Sequence, residues 1–133
     1  MSQAAIAALD DLFGTAFWIA RYRAMETERR SPLFRDPWAA QLAGERGRTI
    51  VEHLPSAKRY QWVFVMRTLI LDNMITEQLK TGGFDTVINL ASGLDTRAFR
   101  LDLPSDVRWF DVDTVQTTEY KRGVLRNASP HCQ

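Results

Sequence analysis

The stretch VINLASGLDTRAFRL, residues 87–101, most constrains the fold of this chain. Its apolar run ends in three small residues, Ala91, Ser92 and Gly93, and a carboxylate follows at Asp95. A short run rich in β-branched residues is typical of a strand buried in a parallel sheet. Small side chains directly after such a strand predict either a simple tight turn or a place where a ligand lies against bare backbone.

A second apolar run, VRWFDV at 107–112, predicts a second buried strand, and Asp113 follows it. Between the two runs we expect a short helix from about Thr96 to Leu101. Ligands of open α/β sheets bind beyond the carboxyl ends of the strands, where Gly93 and Asp113 would both lie. Their separation of 20 residues suits a carboxylate that accepts hydrogen bonds from a ribose. The pattern favours an adenosine-type cofactor, although a strand, a turn and capping aspartates would produce it equally well.

Helical periodicity dominates the chain before the first strand. The segment 4–30 repeats apolar residues at spacings of three and four, although Gly14 could divide it. Asp36 and Pro37 predict the start of a short helix at 37–43, which Gly44 would end, and one or two further turns could follow before Pro55. The longest helical segment, 56–83, has an apolar set that can share one face: Val63, Met66, Ile70, Met74 and Leu79.

The order of elements predicts an α/β fold, because helices are followed by strand, helix, strand and a last helix after Asp113. We interpret residues 1–82 as an N-terminal helical segment and residues 83–133 as part of a Rossmann-like domain. Sheets usually contain about four to six strands. Two strands alone would leave an open edge, so we expect self-association through it.

Composition excludes several classes of partner and site. The chain has 17 Lys and Arg residues against 16 Asp and Glu, so its charge gives no basis for binding nucleic acid or an anionic membrane. No apolar run approaches the length of a membrane span. Cys132 is the only cysteine, which excludes an intramolecular disulfide, and neither His53 nor His131 has metal-ligand spacing. We therefore expect a cytoplasmic protein without a metal site.

Two quoted segments, TVINLASGLDTRAFRL and WFDVDTVQTTEYKR, closely resemble the leucine carboxyl methyltransferase-like family, in particular its bacterial branch with polyketide O-methyltransferases. The family pattern Leu-Gly-Ala-Gly-Leu-Asp-Thr-Arg reads LASGLDTR at 90–97, and its acidic strand end reads FDVD at 110–113. The upstream segments RYRAMETERRSPLFRDPWAAQLAG and MRTLILDN extend the resemblance from about Phe17 to Arg126. Ala91 departs from the pattern, since it replaces the first glycine, and full members run to well over twice this length.

The resemblance implies a class I methyltransferase fold and S-adenosylmethionine (SAM) as cofactor. The chain would then supply helices and the first strand–helix–strand–helix portion of the sheet, as a truncated N-terminal half. Carried over residue by residue, the resemblance gives a set of cofactor-binding residues. They are Arg67 for the cofactor carboxylate, Ala91, Ser92 and Gly93 along its methionine side, Asp113 for its ribose, and Arg23 as a second basic residue.

Arg67 and Asp95 each have a simpler, structural interpretation. Arg67 could be an ordinary surface arginine on a long helix. Asp95, which is not in the set, would first support the turn by holding Arg97 or capping the next helix. No catalytic residue is assigned.

Three hypotheses of function follow. The first is a SAM-dependent methyltransferase that acts on a carboxylate or hydroxyl of a small molecule. The second is a non-catalytic remnant or a partner-dependent binding module, which the short length favours. The third is a module that binds NAD or another nucleotide, which the incomplete G-x-G-x-x-G pattern and the Arg67 match oppose.

Overall fold

The computed structural model describes residues 12–54 and 57–133, and the chain divides into two compact units, residues 1–67 and 68–133. Three helices come first: Leu12–Thr27 (α1), Ala39–His53 (α2) and Ala57–Thr81 (α3). The boundary between the units falls within α3. The predicted beginning of the first helix, before Leu12, lies outside the described residues.

Helices α1 and α2 pack closely in the first unit. Phe17, Ala20 and Ala24 of α1 are buried, which confirms the predicted apolar face. On α2, Gly47 permits the close approach, because a Cβ atom there would lie 2.7 Å from the carbonyl oxygen of Phe17. The helix pair therefore depends on the absence of a side chain at this position.

The two glycines that the sequence marks as possible helix breaks differ in the structure. α1 is continuous through Gly14. The predicted break at Gly44 is confirmed, because Ala39–His53 consists of two helical pieces that meet at a kink where Gly44 has non-helical angles (φ 52°, ψ −156°). The residues after the kink form the further turns that the sequence left open. Glycine tolerates the left-handed φ that the kink needs.

The second unit is a small α/β arrangement. After the end of α3 come strand Thr86–Leu90 (β1), helix Arg97–Arg100 (α4), strand Arg108–Val112 (β2) and helix Val115–Val124 (α5). The strands pair in parallel, in a register that runs from Thr86 opposite Arg108 to Leu90 opposite Val112. Both predicted strands and the helix between them are confirmed.

Only one face of the sheet is covered by the described residues. Val87 and Trp109 pack against a core of Leu79, Ala98, Leu103, Val107 and Cys132. Because side chains alternate along a strand, the next residues face the other way. On that second face the exposed fractions are high for Ile88 (65%), Leu90 (71%), Phe110 (52%) and Val112 (48%).

The apolar set that can share one face of the longest helix is largely exposed. Four of its five members are exposed, and only Leu79 is buried: the exposed ones are Val63, Met66, Ile70 and Met74. In the second unit α3 instead buries Thr68, Asp72 and Leu79. The physical reason is that Asp72 has two arginine partners on α4, which turns that side of the helix inward.

Among the described residues, no helix has an apolar stretch of the length and hydropathy that crossing a bilayer requires.

Candidate functional site

The turn after β1, residues 91–95, is called the glycine turn here. Ala91 and Gly93 both have left-handed backbone conformations, with φ of 52° and 54°. The amide of Ser92 donates to the carbonyl oxygen of Val112 at 3.2 Å, and the amide of Asp95 donates to the carbonyl oxygen of Ser92 at 3.1 Å. The turn is thus tied to the end of β2 and closed on itself.

Asp113 joins the ends of the two strands. Its Oδ2 accepts a hydrogen bond from the Gly93 amide at 2.7 Å, and its Oδ1 accepts one from the Thr114 amide at 2.7 Å. Partial burial raises the pKa of Asp113. The hydrogen bonds from the two amides and from the threonine side chains together lower it by more, so its pKa lies below the ordinary value. The carboxylate is therefore ionised at neutral pH and held at the mouth of the turn.

Thr114 fixes the position of the residue before it. Its side chain accepts from the Thr117 amide and caps α5. Asp113 is thereby placed at the junction of β2 and α5. Of the predicted cofactor residues, the structure brings Gly93 and Asp113 into direct contact and places Ala91 and Ser92 in the same turn.

Asp95, the last residue of the glycine turn, connects the turn to helix α4. Its Oδ1 accepts from the amide of Arg97 at 2.7 Å, and its Oδ2 forms an ion pair with the guanidinium of the same residue. Arg97 also contacts Asp72 at 2.7 Å, and Arg100 binds Asp72 through two hydrogen bonds of 2.7 and 2.9 Å. The expectation that Asp95 holds Arg97 is confirmed.

Three further polar residues connect Asp95 to helix α5 along the covered face of the sheet. Asn89 donates from its side-chain amide to Asp95 at 3.2 Å and to Asp111 at 3.0 Å, and Lys121 of α5 reaches Asp111 at 2.6 Å. We call the connected set the turn network, and its members are Asp72, Asn89, Asp95, Arg97, Arg100, Asp111 and Lys121.

Neither Asn89 nor Lys121 was predicted from the sequence. The available signal for Asn89 was a polar residue two positions after Val87 in the first strand, because residues two apart on a strand lie on the same face.

Arg23 and Arg67 belong to the first unit. Arg23 is buried and its Nε lies 2.8 Å from Oδ2 of Asp36, whose side chain is fully buried. Arg67 is exposed, and its guanidinium lies over the ring of Phe64, 5.0 Å from the ring centre. Both arginines thus have structural contacts, and their cofactor roles stay predictions.

A cavity of about 570 Å³ opens beside the glycine turn in the second unit. Ser92 and Gly93 line one part of it, Phe99 and Trp109 give it an apolar wall, and Lys121 contributes a basic side chain. Its volume lies within the range of small-molecule sites. Among the described residues there is no group of three His, Cys, Asp or Glu side chains placed to hold a metal ion.

The geometry suits recognition of a polar organic ligand. It combines small residues, an ionised carboxylate and an adjacent cavity at the carboxyl ends of two parallel strands. Asp113 accepts from two amides and from the neighbouring threonine side chains, and it is only partly buried. Its carboxylate is therefore within reach of an outside hydroxyl donor such as a ribose, which would compete with the threonine hydroxyls for it.

Comparison with known proteins adds a family and several relatives. The profile of the family described as leucine carboxyl methyltransferase matches residues 16–133. A protein of Frankia alni is 40% identical over 124 residues, which cover 86% of this chain and 43% of the relative. Proteins of Streptomyces avermitilis and Streptomyces coelicolor are each 38% identical over 132 residues, or 92% of this chain and 46% of the relative.

All three relatives carry the name "putative S-adenosyl-L-methionine-dependent methyltransferase". The chain therefore spans less than half the length of these relatives and is similar to their N-terminal portion.

Proposed function

The chain belongs to the leucine carboxyl methyltransferase family, and we propose that it forms the cofactor-binding part of a SAM-dependent methyltransferase. The names of the relatives support this cofactor. The observation that carries the proposal is the 2.7 Å hydrogen bond between the Gly93 amide and Asp113. It joins the small-residue end of one strand to the acidic end of its neighbour, which is where a cofactor with a ribose would be held.

Asp113 would accept hydrogen bonds from the ribose hydroxyls. Its lowered pKa keeps it charged, and a charged acceptor makes the stronger hydrogen bond. The small residues of the glycine turn would line the methionine side of the cofactor. Any larger side chain at Gly93 would also have to adopt its left-handed backbone, which L residues avoid.

Arg67 and Arg23 complete the proposed set. A guanidinium matches a carboxylate in shape and charge, so Arg67 would bind the carboxylate of the cofactor. Arg23 is included as the second basic residue that the resemblance implies. This part of the proposal rests on the resemblance in sequence, together with the exposure of Arg67.

We further propose that the strand–helix–strand–helix order begins a Rossmann-like sheet and that the methyl acceptor is an oxygen of a small molecule. When bound, SAM supplies an electrophilic methyl group. The described residues would bind and orient the cofactor, and we assign none of them the role of a base. Methyl transfer to an oxygen depends chiefly on holding the two partners in line.

The test uses a chimera in which residues 1–133 are joined to the part of the Frankia alni relative beyond the aligned region. Titration calorimetry should detect binding of SAM and of its demethylated product but not of NAD. The chain alone should bind SAM weakly or not at all and should transfer no methyl group to carboxylic acids or phenols. Heat from NAD alone would overturn the cofactor assignment.

Asp113→Ala in the chimera should weaken SAM binding by about 1.5–3 kcal/mol, the range for a hydrogen bond to a charged group. Asp106→Ala is the matched control, because Asp106 is an exposed aspartate elsewhere in the second unit. Equal affinities for the two variants, with both folded, would contradict the ribose role.

A second candidate function is a partner-dependent binding module. The exposed apolar face of the sheet favours it, since Ile88, Leu90 and Phe110 are all more than half exposed. A chimera that folds but binds no SAM would favour this second candidate.

A further inference from the structure

The turn network concentrates several charged side chains, most of them buried, within the second unit. It contains three aspartates, two arginines and one lysine, so its formal charges cancel. The side chains of Asp72, Arg97, Arg100 and Lys121 are between 4% and 12% exposed. Burying ionic groups costs free energy unless they are well paired, so the arrangement calls for a role besides stability.

Asn89 is the neutral link at the centre of the network. Its single amide nitrogen donates to two carboxylates, Asp95 at 3.2 Å and Asp111 at 3.0 Å. Without this donor the two carboxylates would lose a shared partner and would face each other's charge. The amide of Asp95 closes the glycine turn by donating to Ser92. The hydrogen bond from Asn89 to Asp95 therefore connects the covered face of the sheet to the turn.

Lys121 and Trp109 hold Asp111, the second carboxylate that Asn89 contacts. The Lys121 ammonium donates to Oδ2 of Asp111 at 2.6 Å, and the Trp109 indole donates to Oδ1 at 2.9 Å. Asp111 therefore cannot rotate freely, and it presents Oδ1 to Asn89. The chain of contacts runs from helix α5 through both strands to the turn.

We propose that Asn89 is a positioning residue that sets the orientation of the glycine turn, and hence of the Gly93 amide towards Asp113. Lys121 acts in the same way, through Asp111. Neither residue needs to touch the cofactor. The consequence for SAM binding rests on the proposed function, whereas the effect on the turn does not.

The ligand-free chain provides a direct readout, because Asp113 accepts from two amides of which the network reaches only one. In Asn89→Leu the amide resonance of Gly93 should lose its downfield shift, and the pKa of Asp113 should rise towards its ordinary value. The Thr114 amide, which binds the other oxygen of the same carboxylate, should keep its shift. A general loosening of the fold would instead move both resonances.

Asn89→Asp keeps the shape of the side chain but removes the donor, so it should move the Gly93 resonance as well. Asn73→Asp is its matched control, since Asn73 is an exposed asparagine of the same unit. If the Asn89 variants fail to fold, Lys121→Met tests the other end of the link. Its control is Arg122→Met, at an exposed neighbour without an ion pair among the described residues.

The outcomes separate the two proposals. In the chimera Asn89→Leu should weaken SAM binding about fivefold to tenfold, as the loss of about one hydrogen bond would. A shifted Gly93 resonance in a protein that binds no SAM would support the positioning role and contradict the function. An unchanged Gly93 resonance and Asp113 titration in a folded Asn89 or Lys121 variant would overturn the positioning role, whatever the chimera binds.

Discussion

Ala91 is an alanine in a backbone conformation that favours glycine. Its φ of 52° costs an L residue about 1–2 kcal/mol, because Cβ crowds the neighbouring carbonyl oxygen. The hydrogen bond of the next amide to β2 keeps the turn in this conformation. The sequence identified Ala91 as a departure from the family pattern, and the structure shows that the turn accepts the strain.

We predict that Ala91→Gly stabilises the chain by up to about 1 kcal/mol, since relief of strain exceeds the extra entropy of glycine in the unfolded state. Urea denaturation measures the change in the free energy of unfolding. Ala40→Gly is the control, because Ala40 is an exposed residue in the first turn of α2 and the same substitution there should be destabilising. Equal changes in the two variants would contradict the strain at Ala91.

Asp113 should make the free energy of unfolding depend on pH in the acidic range. Its folded pKa lies below the ordinary value, so the stability it contributes is present at neutral pH and is lost as pH falls through the folded pKa. We expect the free energy of unfolding to fall between pH 7 and about pH 3, and to fall less steeply in Asp113→Asn. Urea denaturation across this range tests it, with Asp106→Asn as control. Parallel curves for Asp113→Asn and the wild type would contradict the assignment.

At the scale of elements, local patterns located most of the helices and strands. The two apolar runs predicted both strands, and the segment after Asp113 was predicted as the last helix. The local sequence did not predict which side of a helix faces the core. The apolar periodicity of α3 was clear, but contacts of Asp72 with arginines 25 and 28 residues away decide which side turns inward. Such long-range pairs have no local signature, so most of the turn network could not be derived from the sequence, whereas the local contact of Asp95 with Arg97 could.

The contact between α1 and α2 gives an element-scale prediction. Gly47→Ala should destabilise by about 1–3 kcal/mol, because the added Cβ would meet the Phe17 carbonyl oxygen at 2.7 Å and the Ala43 Cβ at 2.9 Å. Gly123→Ala is the matched control in α5, where a Cβ meets nothing within 4 Å and alanine should be neutral or slightly stabilising. Thermal unfolding followed by circular dichroism distinguishes them. A similar melting temperature for both variants would rule out close packing at Gly47.

At the scale of the whole molecule, the exposed face of the sheet should govern behaviour in solution. Ile88 lies opposite Phe110 and Leu90 opposite Val112, so four apolar side chains form one exposed block. We expect residues 1–133 to self-associate, as measured by size-exclusion chromatography with light scattering. Phe110→Ser should shift the chain towards monomer, whereas Leu33→Ser, at an exposed leucine of the first unit, should not. A monomeric wild-type chain at high concentration would contradict this expectation.

The neutrality and burial of the turn network have a consequence for ionic strength. Dissolved ions screen exposed pairs such as Lys80 with Asp102 and Arg108 with Asp85, but they reach buried pairs much less. The exposed pairs should therefore weaken as sodium chloride is added, while the glycine turn keeps its shape. A loop supported by such a network would keep its geometry across a wide range of salinity.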